Sequence, residues 1–145
     1  MQYQFQKGVP QPLGVTRCGD DYNFAICLQQ DCQCVLFIYH SGEKKAFLQI
    51  PITKEHATGT IYSVRIQNLK ETEFEYSYLI DGQPFTDPYS TALSGRNKWG
   101  VGTAETVHSK VSSSMYDWEH DQLPKHPLEN VIIYSLHVRG FTKHS

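Results

Sequence analysis

The sequence predicts an all-β sandwich, and three observations carry the prediction. Apolar and polar residues alternate with period two through most of the first two-thirds of the chain, as in "EFEYSYLI" and "GTIYSVRI". Turn chemistry recurs about every ten residues between these runs, the spacing of short strands in a two-layer β fold. No long stretch with a 3.6-residue apolar period competes with them.

The elements follow in order. "YNFAICL" places Tyr22, Phe24, Ile26 and Leu28 on one face of a strand. "CQCVLFIYH" places Cys34, Leu36 and Ile38 on one face and Val35, Phe37 and Tyr39 on the other, and an "SGE" turn leads into "KKAFLQI" as a hairpin. "GTIYSVRI" sets Tyr62, Val64 and Ile66 against Ile61, Ser63 and Arg65. "EFEYSYLI" sets Phe74, Tyr76, Tyr78 and Ile80 against Glu73, Glu75, Ser77 and Leu79. Asp81-Gly82 then gives the strongest hairpin signal in the chain, because a two-residue type I′ turn needs positive φ at both positions. The strands are expected between about residues 22 and 108. Beyond them "SKVSSSMYDWEHDQLPKHPLEN" is polar, carries two X-Pro bonds and has no period, so it reads as a linker or extended arm. "VIIYSLHV", residues 131–138, closes the chain as a near-continuous apolar run, the pattern of a parallel strand buried on both faces.

Composition narrows the function classes. The 145 residues carry 13 Lys and Arg against 15 Asp and Glu, a formal charge of −2, with no basic block. A nucleic-acid or anionic-membrane surface would concentrate Lys and Arg, so neither partner is expected. The start, "MQYQFQKGVPQPLG", lacks the apolar core of a signal peptide, and no run approaches the roughly 18 apolar residues of a membrane span. Cys18, Cys27, Cys32 and Cys34 are therefore expected to be reduced thiols of a cytosolic protein. "CQC" invites a metal, but a zinc site needs about four convergent ligands; Cys32 and Cys34 read as core packing. The seven histidines show no metal-ligand spacing, and no cofactor is implied.

These residues carry a family resemblance. "GVPQPLGVTRCGDDYNFAICL" resembles the opening of glycogen-debranching and pullulanase-type enzymes, where Pro-Leu-Gly precedes an Asn-Phe-Ala strand. "FEYSYLIDGQPFTDPYSTALSGRNKWG" resembles the end of their N-terminal module, an immunoglobulin-like sandwich of the carbohydrate-binding family 48 type. "NVIIYSLHVRGFT" resembles the first strand of the (β/α)8 barrel of glycoside hydrolase family 13. The resemblance implies an immunoglobulin-like module over residues 1–110, a linker over 111–130 and a truncated first barrel strand over 131–145. It implies a parent enzyme acting on α-1,6 branch points of glycogen, pullulan or limit dextrins. Such retaining hydrolases use two carboxylates about 5–5.5 Å apart, which in this superfamily follow later barrel strands. None is expected here: Asp117, Glu119 and Asp121 read as solvated linker residues, and this chain alone is not expected to hydrolyse glucan.

The glycogen-binding module of the AMP-activated kinase β subunit supplies candidates for sugar contact, since its Tyr-Lys-Phe-Phe-Val-Asp-Gly-Gln-Trp stretch resembles residues 76–84. Its sugar-binding lysine falls on Ser77 and its stacking tryptophan on Pro84, with Phe85 adjacent. Phe85, Tyr62 and Trp99 are the candidate aromatic platforms and Ser77 the candidate polar contact; packing is the alternative for each aromatic ring. Asp87, Pro88 and Tyr89 are expected to pack between the module and the barrel. The loss of the lysine and tryptophan points to a chiefly structural module on one flank of its own catalytic barrel, with weak contact to an α-glucan such as glycogen, pullulan or limit dextrin as the further expectation. A free-standing glycogen- or starch-binding module, a protein-interaction sandwich and another enzyme of the superfamily are the alternatives. The apolar tail needs cover, and a strand-exchanged homodimer through Val131, Ile132, Ile133 and Tyr134 is one way to provide it.

Overall fold

The computed structural model describes residues 3–29, 32–95, 107–112 and 117–143. The chain divides into two units, Met1–Ser114 and Met115–Ser145.

The first unit is a sandwich of two antiparallel sheets. Its strands are β1 (Gln4–Lys7), β2 (Gly14–Cys18), β3 (Asp21–Cys27), β4 (Cys34–His40), β5 (Leu48–Ile52), β6 (Ala57–Thr58), β7 (Ile61–Gln67), β8 (Phe74–Ile80), β9 (Gln83–Phe85), β10 (Leu93–Ser94) and β11 (His108–Val111). One sheet runs β1-β7-β3-β2, with β6 also on β7; the other runs β10-β11-β8-β4-β5, with β9 also on β8. The all-β prediction holds, and the long strands fall where alternation placed them. Five short pairings, β1, β2, β6, β10 and β11, carry too few residues or too little apolar character to register as a period.

Alternation decides the core. Tyr22, Phe24, Ile26 and Leu28 of one sheet face Leu36, Ile38, Phe74, Tyr76 and Tyr78 of the other, all buried. Their rings meet edge-on: Tyr22 and Phe74 have centroids 5.0 Å apart at 87°, Phe24 and Tyr76 5.3 Å apart at 78°. Such pairs add about 0.5–1.5 kcal/mol each beyond the area they bury. Cys34 sits in this core, and burial pushes its thiol up to about 12; none of the four cysteines is in a disulfide. At the β8–β9 hairpin Asp81 and Gly82 take φ of 48° and 78°, as the type I′ reading requires. The Asp81 carboxylate adds a tie of its own, accepting the Gln33 N–H at 2.8 Å.

The segment after β1 crosses the outer face of the first sheet. Asn23, fully buried, grips it by the backbone: its Oδ1 accepts the Val9 N–H at 2.8 Å and its Nδ2 donates to the Val9 carbonyl at 3.0 Å. Gly8 makes this approach fit, because a Cβ there would stand 2.1 Å from the Asn23 Oδ1 and 3.0 Å from the Val64 carbonyl carbon. Gly8-Val9 and the Asn-Phe-Ala strand are thus two sides of one contact.

The second unit departs from expectation. Residues 131–137 enter no sheet ladder; a 3-10 turn at Leu128–Asn130 precedes them and the short helix α1 (Val138–Thr142) follows. His137 caps α1, its Nδ1 accepting the Gly140 N–H at 3.3 Å. The backbone flanking this run is extended, with Val131 at φ −107°, ψ 130°, yet the side chains are exposed, Ile133 at 79%. A strand exists only where a neighbour accepts its backbone groups, and no ladder among the described residues includes this segment. Asp117, Glu119 and Asp121 are exposed, as expected of solvated linker residues.

Candidate functional site

Two surfaces of the sandwich group exposed or half-buried rings with buried polar anchors and are the candidate sites. The first lies on the outer face of the β4–β8–β11 sheet. Ladder register places Phe37 opposite Ser77, and Tyr39 and Lys110 on either side of Glu75. The rings of Phe37 and Tyr39 stack at 6.4 Å and 22°, and Tyr39 stacks on His108 at 4.2 Å and 14°. Polar groups brace the row from behind. Glu75 Oε2 lies 3.1 Å from His108 Nδ1, and its Oε1 accepts the Gly42 N–H at 3.0 Å. Burial alone would raise the Glu75 carboxyl, but the Gly42 N–H, the Ser94 hydroxyl and His108 outweigh it and hold it below the usual range. The result is a half-buried shelf of flat rings held by a buried ionisable pair, a geometry suited to stacking on the apolar face of a sugar.

The second surface is the bend after β9. Asp87 is buried, and every polar group it has is used inward. Its Oδ2 accepts the Tyr76 O–H at 2.8 Å, its Oδ1 accepts the Tyr89 N–H at 2.8 Å, and its own N–H donates to Ser109 Oγ at 3.0 Å. Burial pushes its carboxyl up, against the two hydrogen bonds it accepts. Burial likewise pushes up the phenols of Tyr76 and of Tyr78, and the Tyr78 hydroxyl has no hydrogen-bond partner among the described residues. Around this anchor Phe85, Tyr89 and Leu93 stand out to solvent.

The expected residues divide between these places. Ser77 reaches the ring shelf, but it is buried and its Oγ lies 3.2 Å from the Tyr39 hydroxyl, so it supports a ring and offers no free hydroxyl to a ligand. Tyr62 as an outward ring is corrected: it is 5% exposed, on the core face of β7, because its partners in alternation, Val64 and Ile66, are the apolar side of that strand. It also helps to line a cleft of about 490 Å³ with Cys32, Val35, Pro51 and Ile52. Asp87 as an interface residue is corrected as well: its carboxylate is anchored within its own sandwich, while Pro88 and Tyr89 are exposed. Phe85 is exposed on β9. Trp99 lies outside the described residues. Sequence reasoning missed Phe37, Tyr39, Glu75 and His108 as a group. Alternation had already set Phe37 and Tyr39 on one face of their strand, opposite Leu36 and Ile38; the Glu75–His108 pairing, 33 residues apart, leaves no local trace. Among the described residues no group of His, Cys, Asp and Glu could hold a metal, and no helix is long and apolar enough to cross a membrane.

Comparison with known proteins finds likenesses to pullulanase, isoamylase and GlgX-type proteins. The solved structure of apo pullulanase from Paenibacillus barengoltzii aligns with 81% of the chain at a TM-score of 0.52 and 14% identity, covering 17% of that protein, a likeness of fold. Among curated proteins the chain is similar to isoamylase 2 of Arabidopsis thaliana, a chloroplastic protein, at 29% identity over 97% of this chain and 17% of the relative. It is similar also to the glycogen operon protein GlgX homolog of Haemophilus influenzae, at 24% identity over 96% of this chain and 24% of the relative. No family model matches. The homologues are debranching enzymes at low identity, and this chain spans about a fifth of their length.

Proposed function

We propose that this chain is the N-terminal, non-catalytic module of an α-1,6-glucan debranching hydrolase of the pullulanase, isoamylase or glycogen-debranching type. On this reading residues 1–110 are an immunoglobulin-like, carbohydrate-binding family 48 sandwich. Residues 111–130 are a linker, and residues 131–145 carry the first strand of a (β/α)8 catalytic barrel. The observation that carries the reading is the reach of the alignments: relatives bearing isoamylase and glycogen-debranching names match 94–98% of the chain, tail included, and not the sandwich alone. The catalytic carboxylates then belong to later barrel strands, and the compartment is a reducing one such as the cytosol, where four free thiols persist.

Within this reading the glucan contact belongs on the ring shelf, with Tyr39 and Phe37 as platforms and Ser77 holding the Tyr39 hydroxyl. Contact through two half-buried rings without a tryptophan is weak, in the millimolar range (about −4 kcal/mol). Calorimetric titration of the chain with maltoheptaose and with a singly branched maltodextrin tests it. Saturable heat that disappears in Tyr39→Ala supports sugar delivery by the module. Its absence at millimolar ligand removes sugar binding and leaves a structural flank. Hydrolysis of pullulan by the intact gene product tests the parental assignment, and cleavage of α-1,4 bonds alone would sink it.

The bare tail favours one further reading, self-association. Val131, Ile132, Ile133 and Tyr134 are exposed apolar residues in a row, and exchange of this segment onto a sheet edge of a second copy would cover them. A monomeric mass by light scattering rules that out.

A further inference from the structure

Tyr39, the half-buried platform of the ring shelf, is held at two points. Its hydroxyl lies 3.2 Å from Ser77 Oγ, and the imidazole of His108 stacks parallel to its ring at 4.2 Å and 14°. The His108 side chain is only 8% exposed. The imidazole therefore lies against the inner face of the phenol and leaves the outer face to solvent.

One nitrogen of His108 keeps its proton and the other exchanges it. Against the burial that would raise it, the Glu75 carboxyl is held below the usual range by the Gly42 N–H, the Ser94 hydroxyl and His108, so it is ionised at neutral pH. Its Oε2, 3.1 Å from His108 Nδ1, accepts only, and Nδ1 therefore carries a hydrogen in either charge state. Titration falls on Nε2. A proton there makes the imidazole a cation shared by the Glu75 carboxylate and the face of Tyr39, and both contacts strengthen. The groups that meet His108 from neighbouring strands are Glu75 on β8, Tyr39 on β4 and the uncharged Ser94 on β10; Lys110, two residues along β11, stands opposite Glu75.

We propose that His108 is the positioning residue of the ring shelf, and that its imidazolium form, by holding Tyr39 flat, makes glucan stacking tighten as pH falls. The proposal rests on the reading of the shelf as a glucan contact. Held by a cation, Tyr39 presents its outer face already in place. Held by a neutral ring, it is ordered in part by the sugar itself, and that ordering is subtracted from the affinity. A neutral oligosaccharide has no group that titrates in the histidine range, about pH 5–8, so any proton dependence of its binding belongs to the protein.

The test titrates the 145-residue chain with maltoheptaose by calorimetry across that range and follows the His108 ring protons by NMR, with and without saturating sugar. Affinity is expected to be about threefold higher with His108 protonated, the scale of one cation–π contact. Reciprocity then requires saturating sugar to raise the His108 midpoint by about half a pH unit. A midpoint that the sugar leaves in place, or lowers, overturns the proposal, and this measurement needs no variant. In parallel, His108→Gln is expected to flatten the pH profile of binding; a profile that persists in the folded variant assigns the proton to another group and overturns the proposal. If maltoheptaose binds at no pH, the glucan reading of the shelf falls, and the Tyr39 ring protons still decide the coupling. They are expected to shift along the His108 titration; Tyr39 signals that ignore it overturn the proposal.

Discussion

Two segments of this chain are written in nearly the same alphabet. "FEYSYLI", β8, and "VIIYSLHV", residues 131–138, are both rich in β-branched and aromatic residues, and both contain a Tyr-Ser pair. The first lies between β4 on one side and β9 and β11 on the other, with Phe74 fully buried. The second joins no ladder, runs into α1 at Val138 and is exposed. β propensity measures fitness for a pleated, half-buried surface; it does not supply the surface. β8 meets partners on both sides and the tail meets none among the described residues, so equal propensity has unequal outcomes.

The largest effect expected from this contrast is Phe74→Ala, which removes the ring that meets Tyr22 and Phe24. It is expected to cost about 3–5 kcal/mol in urea unfolding, whereas Ile133→Ala should stay within about 0.5 kcal/mol. Equal losses would show that the tail is packed after all.

Asp87→Ala comes next, at about 2–3 kcal/mol, because it orphans the Tyr76 hydroxyl and the Tyr89 N–H together. Asp87 and Glu75 also separate by sign. The Asp87 carboxyl is raised by burial, so its contribution is full below its unfolded value near pH ~3.9 and is lost as pH rises through the folded value. The Glu75 carboxyl is lowered, so its contribution is present above the unfolded value near pH ~4.3 and is lost as pH falls through the folded one. Unfolding curves across the acid range should therefore converge on wild type at low pH for Glu75→Gln. For Asp87→Asn the advantage of wild type should shrink as pH rises. Parallel curves for the two variants would show that neither group is perturbed as described.

Gly8→Ala should cost about 1–3 kcal/mol, through the clash with Asn23 and the β7 backbone. Asn23→Ala should release the same arm by another route, and proteolysis near residue 9 reads both. A silent Gly8→Ala would mean that the arm does not lie where Asn23 grips it. The smallest effect is Ile133→Lys, which should leave the sandwich's unfolding unchanged within about 0.5 kcal/mol and lower the scattering of concentrated samples.

The same contrast explains what the sequence disclosed. Period two found β3, β4, β7 and β8 and separated their two faces, and Asp81-Gly82 found its hairpin. It also set Phe37 and Tyr39 together on one face of β4, the face that now forms the shelf of the candidate site. It failed where an outcome depends on residues far along the chain. Tyr62 was offered as a ring for sugar although its own strand turns it inward, and Asp87 looked like an interface residue because nothing nearby in sequence announces Tyr76 and Ser109 as its partners. The Glu75–His108 pair escaped for the same reason.

The clamp of Asn23 on Val9 lies only 14 residues along the chain, whereas β1, just ahead of it, pairs with β7 some sixty residues later. During synthesis β1 therefore emerges well before its ladder partner and pairs late, after a wait of roughly 3–12 s at 5–20 residues per second. In that interval Gly8 and Val9 can already rest against Asn23, a short tether that keeps β1 beside the sheet it will later join.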